Sequence, residues 1–493
     1  MLLLFILIPL AVAALMPLLY RINRWLPDAL ASLTMLATLV LGIAHVRLIA
    51  AGHLYYWDSA LYGLPIRLSL MMDGFSLLLL LTISLVSFFA CVFSVNYMEH
   101  YGCKGGYYAL FMIMVAGMNG LVLTTDLFSL YVFLEVAAIA SYALVAFGQK
   151  HDEVEAAFKY LMLSAVATTG ILLAAALAYL IGGALGFSEL AAALRGGLDA
   201  RLLALVLALF LMGFGLKAAV VPFHAWLPDA HPSAPAPISA MLSGVVIKVS
   251  GVYALVRVAY NIFGLPAGVS QALLFLGALS MVIGALIALG QSDFKRMLAY
   301  SSISQVGYIV IGLGLGTPLG IMGALFHLFN HATFKGLLFL DAGSTEYATG
   351  TRDLHKLGGI NNRLPVTGLT TTIGTFSIAG VPPFNGFWSK LLIIVALVQA
   401  NQMGIAILAV ATSVLTLWYF LLIQRRAFFG KLAVGLEKIK EVPFYMAFAT
   451  LGLAALCLAV GLFYPWVTDN LIRPGVTSLA NAIGVNSFSL FGN

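Results

Sequence analysis

Apolar residues run along this chain in long, nearly uninterrupted stretches rather than at the three-to-four-residue spacing of amphipathic surface helices. A helix needs about 20 apolar residues to cross a bilayer. The polar breaks predict fourteen such spans, at 1–19, 29–49, 72–95, 107–124, 127–147, 157–182, 201–222, 236–260, 267–290, 297–316, 318–341, 365–399, 403–424 and 444–466. The predicted fold class is an all-α polytopic membrane protein. The first stretch has no basic residue before it, and Arg21 and Arg24 follow it, so it is expected to be a true span rather than a signal peptide.

Proline interrupts this pattern at two places. The segment VPFHAWLPDAHPSAPAP carries five of the 17 prolines, at 222, 228, 232, 235 and 237, just after Lys217. A proline inside a helix removes a hydrogen bond and clashes with the preceding turn, so the seventh span must break. A second interruption, GVPPFNGFW at 380–388, immediately precedes Lys390. Backbone freed at membrane depth is tolerated only where protein or cavity water satisfies it. The segments resemble each other, Val221-Pro222-Phe223-His224-Ala225-Trp226 against Pro382-Pro383-Phe384-Asn385-Gly386-Phe387-Trp388, five spans apart. An odd offset reverses direction across the bilayer, so two inverted five-helix repeats with broken helices 7 and 12 are expected; the alternative is two unrelated kinks. The resulting division is 1–106 for helices 1–3, 107–260 for the first repeat (helices 4–8), 261–430 for the second (helices 9–13) and 431–493 for helix 14 and the tail.

Composition narrows the function. Hydrophobic residues make up 62% of the 493 and charged residues only 9%, with a mean hydropathy of +1.03. The 25 Lys+Arg and 19 Asp+Glu cannot coat the surfaces of soluble domains of this total length. The positive excess therefore reads as membrane topology, not as a nucleic-acid surface. Loops facing one side hold fifteen Lys and Arg, among them Lys104, Lys150, Lys295 and Arg352; the other side holds six, Arg47, Arg67, Arg195, Arg201, Arg257 and Arg473. The positive-inside rule then puts both termini on the non-cytoplasmic side. Three cysteines without a CxxC pair predict no iron–sulfur cluster and no disulfide scaffold, so no cofactor or metal is expected and any redox chemistry would need another subunit.

Four basic residues are left over, Lys217, Lys248, Lys335 and Lys390, each within or at the end of an apolar segment, and Glu135 is the acid squarely inside a span. A charge at mid-bilayer costs at least about 2.5–3.5 kcal/mol, so five of them represent roughly 10 kcal/mol that packing does not require. Such groups usually face a bundle interior or a water-filled cavity and mark ion or proton routes. The bland alternatives are snorkelling lysines and structural ion pairs. Burial disfavours a charged amine and a nearby carboxylate favours it, which makes Glu135 with Lys217 a candidate couple switched by separation. In FHLFNHATFKGLLFL, His327, His331 and Lys335 recur every fourth residue, one helical stripe about 12 Å long. Groups that bind and release protons at that spacing, with water between, form a relay; two core histidines and one interfacial lysine would be the plainer reading. Neighbours on one helix cannot take both axial positions of a haem iron, and HxxxH here lacks the glutamate of HExxH, so neither haem nor zinc is supported.

At these residues the chain resembles a known family. DLFSLYVFLEVAAIASYALVAF around Glu135, EAAFKYLML around Lys159, GLKAAVVPFHAWLPDAHPSAPAPISAMLSGVVIKVSGVYALVR around Lys217 and Lys248, DFKRMLAYSSISQVGY, NHATFKGLLFL and GVPPFNGFWSK look like the proton-conducting antiporter-like subunits. That family comprises antiporter-like subunits of respiratory complex I, large subunits of Mrp-type cation/proton antiporters and equivalents in membrane-bound hydrogenases. The resemblance covers roughly residues 70 to 430. It implies fourteen helices with inverted repeats and assigns translocation roles to Glu135, Lys217, Lys248, Lys390 and the helix-eleven group His327, His331 and Lys335, with Lys159 secondary. A proton would come in toward Lys248, pass the helix-eleven residues, wait at Lys390, and leave when rearrangement at Glu135 and Lys217 lowers its affinity.

Lysine at 390, where other branches have glutamate, does not settle which complex this is; the Glu135 region and GFWSK look closer to Mrp and hydrogenase-type members. The short stretch after the last span predicts no lateral helix like that of the largest complex I member. The expected partners are other membrane subunits of an Mrp, hydrogenase or complex I-like assembly, the lipid bilayer, and protons with or without Na+, in an energy-transducing, prokaryotic cell membrane. Two alternatives are a quinone- or haem-handling redox subunit and a freestanding secondary transporter.

Overall fold

The computed structural model describes residues 1–62, 68–194 and 199–485; Arg67 and Arg195, used above for topology, lie outside the described residues. In chain order the helices are α1 (Leu4–Ile22), α2 (Leu26–Ala50), α3 (Gly74–Tyr97), α4 (Lys104–Leu123), α5 (Leu127–Val145), α6 (His151–Gly182), α7 (Phe187–Leu194), α8 (Ala200–Lys217), α9 (Leu227–Ser233) and α10 (Ala236–Met241). A π-helical segment, Leu242–Tyr253, continues α10 through α11 (Ala254–Val256) into a second π stretch, Arg257–Ile262. Then come α12 (Ala267–Leu289), α13 (Phe294–Gly314), α14 (Pro318–Thr349), α15 (Pro365–Ala379), α16 (Asn385–Gln399), α17 (Met403–Ile423), α18 (Phe444–Leu462), α19 (Tyr464–Val467) and α20 (Arg473–Ala482). Strands β1 (Tyr55–Asp58) and β2 (Ser69–Met72) pair antiparallel between α2 and α3, with Tyr55 opposite Met72.

Helix starts follow the short polar residues that can satisfy free N–H groups. Asp73 accepts from Ser76 N (2.8 Å), Asp126 from Ser129 N (2.7 Å) and Asp293 from Arg296 N (2.9 Å), opening α3, α5 and α13. Gly350 closes α14 with φ 72°, a left-handed turn that costs glycine nothing.

Among the described residues, twelve helices are long and apolar enough to cross a membrane. Those of the interior, Gly74–Tyr101, Ala236–Ile262 and Phe294–Gly314, are buried almost throughout, as is most of α14. Outer helices show large apolar side chains to their surroundings, among them Leu33, Ile139, Val166, Phe275 and Val414. A protein in water hides such residues; in lipid they are at home. The protein is an integral membrane protein with several ionisable side chains buried inside the bundle.

Both anticipated breaks are present. Helix α8 stops at Lys217, the backbone runs non-helically from 218 to 226, and α9 resumes at Leu227; α15 stops at Ala379 and α16 begins at Asn385. Three residues placed in loops from sequence are instead buried inside the bundle. Arg257 is 2% exposed, with its Nη1 and Nη2 on Asp73 at 2.9 and 2.6 Å. Lys104 pairs with Asp28 at 3.0 Å and Lys295 with Glu346 at 3.0 Å. A charge at or near a helix end can be buried when a counter-ion is held against it, which a count of loop charges does not register.

Candidate functional site

Lys217 is the last residue of α8, where the chain leaves the helix at Ala219 with φ 55°. Its side chain turns into the bundle. The amine is bonded to Ser164 Oγ on α6 and lies 3.4 Å from Tyr142 OH on α5; the two hydroxyls are bonded to each other. Glu135, on the same helix as Tyr142 and two turns before it, is half-buried, and its Oε1 has no hydrogen-bond partner. Its charge acts on Lys217, but the lysine is held by neutral hydroxyls and not by the carboxylate. The expected couple is therefore an electrostatic one without an ion pair.

The break beside Lys217 has its freed groups satisfied. Val221 N donates to Ser280 Oγ on α12 at 2.8 Å, and Trp226 Nε1 donates to Leu216 O at 2.9 Å while its ring stacks on Tyr160 at 4.1 Å. At the second break the lysine itself does this work: Lys390 Nζ donates to Ile378 O, in the last turn of α15, at 2.8 Å. The junction is backed by Trp388, which stacks on Tyr464 at 3.8 Å and donates to Gly461 O at 2.9 Å.

Between the breaks lies a connected group. Lys248, in the π-helical segment, bonds Ser243 O, and Ser243 Oγ meets Ser302 Oγ on α13 at 2.8 Å. One turn earlier on α13, Leu298 O accepts from Lys335 Nζ at 2.7 Å, and Ser301 Oγ is a second partner. From Lys335 the row follows α14: His331, with both ring nitrogens unpartnered, then His327, 6.2 Å from it between ring centroids. His327 Nδ1 lies 2.9 Å from Ser389 Oγ and Nε2 lies 3.2 Å from Gln305 Oε1. Ser389 precedes Lys390, whose amine lies 5.0 Å from the centroid of the Tyr308 ring. The charges of Lys248, Lys335 and Lys390 all act on His331. Lys248, His327, His331 and Lys335 are 0% exposed and Lys390 is 3%.

The structure thus gathers Lys248, Lys335, His331, His327 and Lys390 into one row and keeps Glu135 and Lys217 as a neighbouring group. It leaves Lys159 at the surface, where that side chain pairs with Glu155 at 2.8 Å and Asp229 at 3.4 Å. Sequence reasoning missed Tyr142, Ser164, Gln305 and Ser389. Gln305, a polar residue within a span, was visible; Ser164 carried no signal. It also missed Asp341, fully buried on α14 and accepting from Thr370 at 2.8 Å.

Residues 124–416 match the NADH:quinone oxidoreductase/Mrp antiporter transmembrane family, and residues 57–108 match the N-terminal family of chain 5 of NADH-ubiquinone oxidoreductase (complex I). The chain belongs to the NADH:quinone oxidoreductase/Mrp antiporter family. Within it, NADH-quinone oxidoreductase subunit N of Desulforudis audaxviator is 33% identical over 95% of this chain and 97% of its own. An Na(+)/H(+) antiporter subunit of Alkalihalophilus pseudofirmus is 36% identical over 74% of each chain. Among solved structures, a chain of the Mrp complex from Dietzia sp. superposes with a TM-score of 0.90 at 28% identity, covering 99% of this chain and 98% of that one. The resemblance to antiporter-like subunits read from the motifs is thereby established.

Proposed function

We propose that this chain is a proton or Na+/H+ translocating subunit of a multisubunit energy-converting membrane complex, and that it moves protons along the Lys248–Lys335–His331–His327–Lys390 row. The observation that carries this reading is the row itself: five ionisable side chains buried at 3% exposure or less, Lys248 and Lys335 joined through Ser243, Ser302 and the Leu298 carbonyl, His327 held by Ser389 and Gln305, and two interrupted helices flanking them. Imidazole can take a proton on one nitrogen and release another, and the unpartnered nitrogens of His331 leave both free to do so. Glu135 acts on Lys217 through space and biases its charge; moving α5 relative to α8 changes that bias without breaking an ion pair. The relatives support the assembly: they are named as subunits of a quinone oxidoreductase and of an Na+/H+ antiporter. No quinone- or haem-binding arrangement is needed for this chemistry.

The reading extends to architecture. Adding α14 and the broken pair α15–α16 to the twelve apolar helices makes fourteen spans, with residues 107–260 and 261–430 as inverted repeats, 1–106 before them and 431–493 after. Two facts favour the repeat. Aligning Val221-Pro222-Phe223 with Pro382-Pro383-Phe384 sets Ala219 (φ 55°) opposite Gly380 (φ 82°). It also sets Lys217 opposite Ile378, whose carbonyl holds the Lys390 amine, so each break has an amine at the same end of its first half-helix. Both termini are assigned to the non-cytoplasmic side of a prokaryotic cell membrane, from the charge asymmetry of the loops.

The test is Lys390→Ala in the assembled complex, reconstituted in vesicles with a pH-sensitive dye inside. Proton movement is expected to fall at least tenfold with assembly unchanged. Transport at the wild-type rate would remove Lys390 from the route and with it the reading of the row.

A further inference from the structure

On the face carrying Lys150, Lys295 and Arg352, a cavity of about 730 Å³ opens between the ends of α3, α5 and α14. Its wall includes His100, Tyr101, Lys150 and Glu346. Glu346 stands at a boundary: its side chain is 30% exposed, while that of Lys295, 3.0 Å away, is 2% exposed. Lys295 Nζ also donates to Ala234 O at 3.2 Å, three residues after His231. Arg352 clamps the same place, 3.6 Å from Glu346, 3.2 Å from Asp293, and bonded to Pro232 O.

His231 is fully buried and neither ring nitrogen has a partner. A buried imidazole without a hydrogen bond costs free energy that packing alone does not return, which calls for a role or for water. Its ring stacks on Phe339 at 4.4 Å, and the Lys335 amine lies 5.7 Å from the centroid of that same ring. The charges of Lys335, Lys295 and Lys248 all act on it. His231 is thus linked to both, to the ion pair at the cavity wall through the nearby Ala234 carbonyl and to the buried row through the shared Phe339 ring.

We propose that Glu346, Lys295 and His231 form the proton intake of the row, an inference that rests on the translocation reading above. When Lys335 has passed its proton to His331, one ring nitrogen of His231 takes a proton from Lys295, and the imidazolium so formed releases the proton on its other nitrogen to the neutral Lys335 amine. Glu346 then takes a proton from cavity water and passes it to Lys295. Each step moves one proton, with water filling the gaps between groups, and the set returns to its starting charges. His231 sits in the last turn of α9, followed by Pro232, and its carbonyl accepts from Ser239 Oγ at 2.8 Å.

The experiment compares variants in the assembled complex, in vesicles oriented so that each face can be addressed, with Lys390→Ala alongside. Glu346→Gln is expected to lower proton movement at least tenfold, and Glu346→Asp to recover much of it. Glu346→Ala should regain activity when tens of millimolar acetate, small enough for the cavity, is added on the cavity face only. If Lys390→Ala stops transport while Glu346→Gln runs at the wild-type rate, or if acetate restores nothing, the intake is wrong and the row stands. If Lys390→Ala itself transports normally, it is the translocation reading that fails. Should the Glu346 variants not assemble, His231→Gln decides, since it breaks no ion pair: a tenfold loss supports the intake and an unchanged rate overturns it.

Discussion

Replacing Arg257 by methionine tests how the start of α3 is fastened to the second π-helical stretch. The guanidinium makes four contacts: two to Asp73, one to Ser76 Oγ at 2.9 Å and one to Tyr253 OH at 2.8 Å. Asp73 in turn opens α3, so the pair ties the start of one buried helix to the end of another. The side chains are only 3% and 6% exposed. Removing one partner of such a pair strands the other, at about 3–5 kcal/mol. The sign with pH follows. Burial acts to raise the Asp73 carboxyl, but the charge and hydrogen bonds of Arg257 outweigh it and hold the group below its ordinary range. Its stabilising contribution is therefore present above the unfolded value near ~3.9 and is lost as pH falls through the depressed folded value.

Without Arg257, burial dominates and the carboxyl titrates above the unfolded value. The damage then grows as pH rises between the unfolded and the raised folded value, by up to about 1.4 kcal/mol per pH unit. Melting of the detergent-solubilised protein should show Arg257→Met destabilised more at pH 8 than at pH 5. Adding Asp73→Asn, which keeps an acceptor for Ser76 N, should recover more than half of the loss. A single variant that melts like the wild type, or a loss indifferent to pH, would refute the reasoning.

Three further outcomes are expected. Gly461→Ala puts a methyl 2.1 Å from Pro383 O, and Gly386→Ala puts one 1.8 Å from Ser377 O. Each should cost about 1–3 kcal/mol or more by pushing the α15–α16 junction apart, while Gly404→Ala, with nothing within 4 Å, should leave the melting temperature unchanged or higher. Ser164→Ala combined with Tyr142→Phe strips Lys217 of its hydroxyl partners, each worth about 1.5–3 kcal/mol to a charged group; dye-reported proton movement should drop at least tenfold, and an unchanged rate would discount the hydroxyls. Lys159→Ala removes surface ion pairs that water and salt screen, so the melting temperature should stay near that of the wild type, and a large drop would contradict its placement at the surface.

Much of this was legible in the sequence, for physical reasons. Long apolar runs point to membrane helices, the two proline clusters to interruptions, and the four leftover lysines have no cheap alternative to burial, so the membrane helices, both breaks and the burial of those lysines were legible. The stripe His327–His331–Lys335 was visible because helical spacing converts sequence distance directly into direction. What stayed hidden depends on contacts between helices. Nothing near Ser164 announces that it meets Lys217, fifty-three residues away. Arg257 looked like a loop cation because its counter-ion, Asp73, lies 184 residues distant. Asp341 was absorbed into the end of an apolar run that α14 in fact continues to Thr349.

The wide turn around Lys248 has a mechanical consequence. In a π-helix each carbonyl pairs with the amide five residues on, so Ser243 O is already engaged by the backbone N–H of Lys248 when the side chain folds back onto it. The side-chain amine is then a second guest on an oxygen with two lone pairs. It can swing away to a neighbour and return without leaving that oxygen bare, so the tether is reversible at little cost to the helix that carries it.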